Sequence, residues 1–558
     1  MIDYNTITVG DKVTVVGMGA PGFAKLGDIL TITKIEPNKV WAAREDGEIL
    51  HTSFLFFVEA LQTPLPHDTL SITANISYEG GFASGEAYVY RADPLEPITN
   101  PVIVVEGFDL DNTMNWDELY ALLNQEMLLE TLREEGYDAI VLNFAEATDY
   151  IQRNAFVLVA LIEEVMGSVG PETDCAIIGA SMGGLVARYA LAYMEQNALD
   201  HRARTFISFD VPHGGANIPL GMQYWMDFFA DQSADAAFLL SRLDTPASRQ
   251  MLVYHHTIPP GATDEADPLR SIFLADLAGV GSFPEGCRTI AVANGSGSQN
   301  GQGFAAGEQI VSYEYYSFLV DIVGNVWAVP DGGAQTIFHG LTDIILLPRD
   351  ETIVTVSGTM PYDNAPGGYR SSMAQMDSSE APYGDIIALY DSHCFIPTVS
   401  ALALDTLELF LDIANHTDIL SLTPFDGVYY PVENQEHVTI TAESAEWFLH
   451  EIRIGATGTG EEPAVPFGAA LYQNYPNPFN PVTMIRFTAP AGLHTRVRVF
   501  DVAGRLIIEL YDGLAKGTVQ TVTWNGKNES GRSVGSGVYF CRLEAGAEIR
   551  SRKLVLLQ

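Results

Sequence analysis

Residues 175–191 read CAIIGASMGGLVARYAL, and this stretch decides the fold. Ala176–Ile178 reads as a short buried strand and Leu185–Leu191 as an apolar-faced helix. Between them, Gly179-Ala180-Ser181-Met182-Gly183 matches G-x-S-x-G. The pattern has a mechanical meaning. A strand that turns this sharply into a helix leaves no room for a Cβ on either side of the central residue, and it lifts the serine hydroxyl above the sheet. Ser181 is therefore the candidate nucleophile. The N–H of Met182, at the helix start, is a candidate donor to an oxyanion. A plain tight turn is the competing reading of the pentapeptide, and the strand–turn–helix setting weighs against it.

The same alternation extends to both sides. Strands over Val102–Val105, Ala139–Asn143, Cys175–Ile178 and Thr205–Phe209 are separated by helices over Trp116–Glu135, Tyr150–Ser168 and Gly183–Glu195. This order predicts a parallel sheet of βαβ units covered on both faces. Alternating runs over Ser71–Ser77 and Gly85–Arg91 open that sheet. Residues 215–286 read as a helical, cap-like insertion, Thr289–Ala293 as a further strand, and the stretch onward to about 390 as long, irregular and Gly-rich. A loop following the strand two units before the serine should supply a second oxyanion donor, and Glu106-Gly107-Phe108-Asp109 places Phe108 there.

A general base should follow the last strand of this sheet and precede its final helix. Of the twelve histidines, His437 in ENQEHV stands in that position, after Val428–Val432 and before Ala442–Ile452. Three aspartates compete to be the acid that orients the imidazole. Asp426 in TPFDGVYY is the first choice: it precedes the histidine loop and keeps the order Ser, Asp, His. Asp210 ends the strand RTFISFD, and Asp391 precedes CFIPTVSAL. His213, in PHGG, reads as structural.

Outside this region the periodicity changes. Residues 1–62 carry short β-like runs that suggest a small SH3-like β-barrel module, and residues 63–453 form the catalytic domain. Residues 454–468 (GATGTGEEPAVPFGA) are a polar linker. Residues 469–558 are all β, with turns at Asp512-Gly513 and Asn525-Gly526, as in a sandwich.

Charge and cysteine content exclude several classes. The net charge of −42 offers no basic surface to displace phosphate counterions, so nucleic acid is not an expected partner. No apolar run approaches the roughly 20 residues of a membrane span. Four scattered cysteines give neither a disulfide framework nor a zinc cluster; Cys175 reads as a core residue, and a Cys287–Cys394 bridge is left for geometry to test. The opening MIDYNTITVGDKV has no basic or apolar leader region, so no signal peptide is visible. No organic cofactor is required by the chemistry, and a structural calcium in the Asp/Gly-rich loops is left open.

Residues 70–452 resemble lipase-like α/β-hydrolases in VIVVEGFD, GASMGG, DVPHGGANIPLG and NQEHV. The resemblance implies a serine hydrolase that cleaves carboxylic esters, including lipid acyl esters. CFIPTVSAL lacks the acid-loop aspartate of that group. Residues 469–558 resemble type IX secretion C-terminal sorting domains and the Ig-like domain of flagellar hook capping proteins, in LYQNYPNPFNPVTMIRF, VRVFDVAGRLI and the closing RKLVLLQ. This implies export from a diderm bacterium through a secretion translocon. The expectation is an α/β-hydrolase fold with a cap insertion, between a small β module and an Ig-like β-sandwich. A non-catalytic surface or adhesion protein on the same fold is the alternative.

Overall fold

The computed structural model describes residues 64–260, 267–377, 381, 383–457 and most of 470–556, together with the backbone of five strands before residue 61. It divides into two compact units, Met1–Thr457 and Gly458–Gln558.

The first unit is built on an eight-stranded sheet: β1 (Asp68–Thr73), β2 (Ser84–Tyr90), β3 (Pro101–Val105), β4 (Asp138–Phe144), β5 (Cys175–Ala180), β6 (Ala203–Phe209), β7 (Arg288–Val292) and β8 (Gly427–Tyr429). Across the sheet they run β1-β2-β4-β3-β5-β6-β7-β8. Only β2 runs against its neighbours, while β4, β3, β5, β6, β7 and β8 pair in parallel. This order, with its antiparallel second strand, is the α/β-hydrolase arrangement.

The helices between the strands are α1 (Trp116–Leu123), α2 (Leu128–Glu134), α3 (Ile151–Ser168) and α4 (Met182–Gln196). Because strand side chains alternate between faces, each central strand feeds two cores. Ile103, Val105, Cys175 and Ile177 join α3 and α4 on one face. Val102, Val104, Ala176 and Ile178 join α1, α2 and the closing helix Ala442–Thr457 on the other. A strand buried on both faces must be apolar at every position, which is why β3 and β5 read as unbroken hydrophobic runs. The expected single helix over Trp116–Glu135 is interrupted. Glu126 and Met127 adopt positive φ and break it between α1 and α2.

The insertion after β6 is helical as expected: α5 (Leu220–Phe229), α6 (Ala234–Leu243), α7 (Pro246–Met251) and α8 (Pro268–Gly279). The expectation of an irregular stretch after β7 is corrected. Gln309–Tyr316, Val320–Trp327, Gln335–Ile344, Asp350–Val356 and Ile386–Ala388 form a five-stranded antiparallel sheet. Buried Val320, Ile322 and Val326 of its second strand face inward. All four cysteines are free thiols, so no Cys287–Cys394 bridge forms. Among the described residues no helix is long and apolar enough to cross a membrane.

The expected SH3-like module over 1–62 lies outside the described residues except for its strand backbones. These form an antiparallel sheet in the order Ile49–Thr52, Lys39–Ala43, Ile29–Glu36, Lys12–Val15, Val58–Ala60. Most of the linker expected at 454–468 also lies outside them. In the second unit, a three-stranded and a four-stranded antiparallel sheet share one core. Phe479, Ile485, Phe487 and Trp524 pack there with Val497, Val499, Cys541 and Leu554.

Candidate active site

Ser181 stands between β5 and α4 with φ 53° and ψ −128°, a conformation costly for any residue with a Cβ. The crowding around it explains both glycines of the pentapeptide. A Cβ on Gly179 would come within 2.5 Å of the Gly184 Cα, and one on Gly183 within 2.3 Å of the Val105 and Glu106 carbonyl oxygens. The N–H of Ser181 donates to the Phe209 carbonyl at 2.8 Å, which ties the turn to the end of β6. Met182 begins α4, where first-turn N–H groups have no intrahelical acceptor. The loop after β3 closes over the same point, since a Cβ on Gly107 would lie 3.0 Å from the Ser181 Cβ. Phe108, half-buried, follows it.

The structure brings three of the residues named from the sequence into one chain of hydrogen bonds. His437 Nε2 lies 2.8 Å from Ser181 Oγ, and His437 Nδ1 lies 2.6 Å from Asp210 Oδ2. The other oxygen, Asp210 Oδ1, accepts from the Asn294 N–H at 2.9 Å. Both the imidazole and the carboxylate are fully buried, and Ser181 is 9% exposed. Asp210 (φ 47°) and Val438 (φ 62°), beside His437, share the positive φ of Ser181. Each of the three hydrogen-bonded side chains thus sits at or beside a positive-φ residue, although nine other described non-glycine residues elsewhere in the chain share that conformation.

Burial drives the His437 pKa below its ordinary value. The hydrogen bond and charge of Asp210 oppose that shift, and the Arg370 guanidinium adds to it. The balance leaves a neutral imidazole at pH 7, able to accept a proton.

The choice of Asp426 as acid is corrected by its position. It precedes β8, at the opposite end of the parallel strands from Ser181, and its carboxylate accepts from the Thr289 N–H at 2.8 Å. Asp391 is exposed; its backbone carbonyl accepts from the Ala374 N–H. His213 is buried, with Nε2 2.7 Å from Ser208 Oγ and Nδ1 3.2 Å from the Arg188 guanidinium. Burial and that guanidinium push its pKa well down.

Three supports of the site are absent from the sequence reading. The strand Gly367–Arg370 passes behind it: the His437 N–H donates to the Tyr369 carbonyl, and a Cβ on Gly368 would sit 2.3 Å from Asp210 Oδ2. Asn294 binds both the Gln435 side chain and the Thr439 carbonyl, bracing the histidine loop. The Phe395 ring stands edge-on to the imidazole at 4.9 Å between centroids. The doublet Gly367-Gly368 was the available signal, because adjacent glycines inside a strand mark a close approach of other groups.

Glu106, one residue before Gly107, is buried, and burial pushes its pKa up to about 8. The Phe144 N–H opposes the shift and Asp109 adds to it. Its Oε1 has no hydrogen-bond partner among the described residues. The folded protein therefore holds a proton that the unfolded chain releases from about pH 4.5 upward. Stability from this group is present at acid pH and lost as pH rises through about 8. Thermal melting should fall by several degrees between pH 6 and pH 9, and Glu106→Gln should flatten that fall. An unchanged slope in the variant would refute the assignment.

Among the described residues, one group of three metal-ligating side chains comes together: Asp244, His255 and His256 in the helical insertion. It includes none of Ser181, Asp210 or His437.

Comparison with known proteins separates the two units. Residues 473–557 match the family model of the secretion system C-terminal sorting domain, so the tail marks a protein that is secreted or displayed on the cell surface. No curated protein matches the chain. Among solved structures, PorZ, a surface component of the type-IX secretion system of Porphyromonas gingivalis, is 23% identical over 16% of this chain and 12% of its own, with a TM-score of 0.13. Est1E from Butyrivibrio proteoclasticus is 18% identical over 26% of this chain and 50% of its own, with a TM-score of 0.19. An esterase from the archaeon Pyrobaculum calidifontis is 16% identical over 41% of this chain and 66% of its own, with a TM-score of 0.25. The chain thus spans half or less of the first two. Strand order, and not these distant alignments, identifies the hydrolase fold.

Proposed function

We propose that this exported protein is a serine hydrolase that cleaves carboxylic esters through an acyl-enzyme. The observation that supports the reading is the continuous contact from Ser181 Oγ through the His437 imidazole to Asp210. His437 Nε2 takes the Ser181 proton as Oγ attacks the ester carbonyl, and Asp210 holds Nδ1–H and stabilises the imidazolium that forms. The backbone N–H groups of Met182 and Phe108 receive the negative charge on the carbonyl oxygen. His437 returns its proton to the departing alcohol, and water then repeats the sequence in reverse. The tail carries the enzyme to the secretion translocon and takes no part in the chemistry.

Lipid acyl esters are a second reading, favoured by one feature. Two adjacent loop tips of the antiparallel sheet, joined by the Ile345 N–H to the Leu319 carbonyl, expose Phe318 (92%) and Leu346 (97%) along with Leu319 and Leu347. Exposed apolar clusters of this kind suit contact with an apolar surface.

A panel of p-nitrophenyl esters of increasing acyl length tests both readings. Hydrolysis of short esters in solution supports the first. A rate that climbs with chain length, and jumps once the substrate forms an emulsion, supports the second. Because the base must be neutral and its pKa is depressed, kcat/KM should hold down to about pH 6.5 and fall only below it. No hydrolysis of any ester would reject the proposal.

A further inference from the structure

A pair of adjacent histidines beside an aspartate has geometry that the ester chemistry does not use. Asp244 follows the last turn of α6 (Ala234–Leu243), and His255 and His256 lie just beyond α7 (Pro246–Met251). Asp244 Oδ1 stands 3.6 Å from His255 Nε2 and 3.6 Å from His256 Nε2, and the three side chains each offer one ligand atom within 4.8 Å of the other two. These separations are too long for hydrogen bonds. They are close to the edge of a tetrahedron around an ion with bonds of about 2.1 Å, which is roughly 3.4 Å.

A separate observation points to a ligand. The His256 side chain is only 9% exposed, yet its Nε2 has no hydrogen-bond partner among the described residues. A buried ring nitrogen without a partner is costly, and this one faces the Asp244 carboxylate. The surroundings hold it there. The His256 N–H donates to Gln223 Oε1 at 3.0 Å, and the Tyr224 hydroxyl donates to its carbonyl at 2.8 Å. His255 is also prepared. Its Nδ1 lies 2.8 Å from Thr257 Oγ1, an outer partner of the kind that fixes a ligating imidazole. Its Nε2–H donates to the Leu243 carbonyl at 3.1 Å, and the Thr257 N–H approaches Nδ1 at 3.4 Å. Binding an ion at Nε2 exchanges those two contacts for the metal bond, with the ring proton moved to Nδ1 and donated to Thr257 Oγ1.

We infer that Asp244, His255 and His256 form a binding site for a divalent transition ion of the zinc type. Two imidazoles and one carboxylate suit zinc, cobalt or nickel; calcium prefers oxygen ligands alone. Asp244 is 46% exposed, so a water from solvent completes the fourth position. The ion ties the end of α6 to the segment after α7 and so braces the helical insertion. It takes no part in the hydrolytic step.

The test uses the full chain, stripped with a chelator at neutral pH and titrated with zinc alone. Zinc should bind at one ion per chain and raise the melting temperature, and calcium at the same concentration should not. Cobalt in place of zinc should give the visible absorption of a four-coordinate ion. Asp244→Ala, at a half-exposed position, and His256→Gln, which removes no side-chain hydrogen bond of His256 Nε2 among the described residues, should each weaken zinc binding at least tenfold, with circular dichroism unchanged. Zinc affinity within tenfold of the parent in both variants, or melting that ignores zinc, would overturn the inference.

Discussion

Replacing Ser181 with alanine is expected to abolish ester hydrolysis, with a loss in kcat on the order of 10⁶-fold, the scale set by removal of a serine nucleophile elsewhere. The size of the loss follows from the chemistry: without Oγ there is no acyl-enzyme, and what remains is water attack assisted by the Met182 and Phe108 amides. The fold should survive. Alanine fits the space of serine, and the positive φ at this position strains both side chains alike. Melting temperature and circular dichroism should therefore match the parent, which separates a chemical loss from a structural one.

The second large effect distinguishes two aspartates. Asp210→Asn should lower kcat by about 10⁴-fold, the magnitude seen when such an acid becomes an amide. The carboxylate accepts two hydrogen bonds here, from His437 Nδ1–H and from the Asn294 N–H. Asparagine has one acceptor oxygen. If that oxygen keeps the Asn294 N–H, its NH₂ faces Nδ1, and the imidazole must carry its proton on Nε2, where it can no longer accept one from Ser181. Asp426→Asn should leave kcat/KM within a few-fold of the parent and lower only the melting temperature, because its partner is Thr289. Kinetics on the two purified variants decide the matter, and the reverse ranking would return the acid role to Asp426.

Much of the site was legible because its constraints are local. The crowding at Gly179 and Gly183 writes itself directly into G-x-S-x-G, and the strand buried on both faces writes itself into CAII. His437 was found by position, between a last strand and a final helix. The acid was harder, since three aspartates satisfied chain order. A physical rule separates them: in a parallel sheet, a residue that follows a strand and one that precedes a strand lie at opposite edges. Asp210 follows β6, at the same edge as Ser181, which follows β5. Asp426 precedes β8 and falls at the far edge.

The antiparallel sheet over 309–356 was missed for a different reason. Its strands carry polar residues on one face and glycines such as Gly324 and Gly340 within their span, so they read as irregular. Gly324 sits where the Trp225 and Phe229 side chains press in, a contact between distant segments that local pattern does not announce. The strand Gly367–Arg370 is only four residues long, and its role depends on pairing with His393–Pro397.

The account rests on Ser181 Oγ being activated by a neutral imidazole 2.8 Å away. Incubation of the full chain with a fluorophosphonate probe, followed by mass spectrometry of the peptides, tests this most directly. The prediction is one adduct per chain on Ser181, absent in Ser181→Ala and formed far more slowly in His437→Ala. An unlabelled parent protein, or equal labelling of the Ser181→Ala variant, would contradict it.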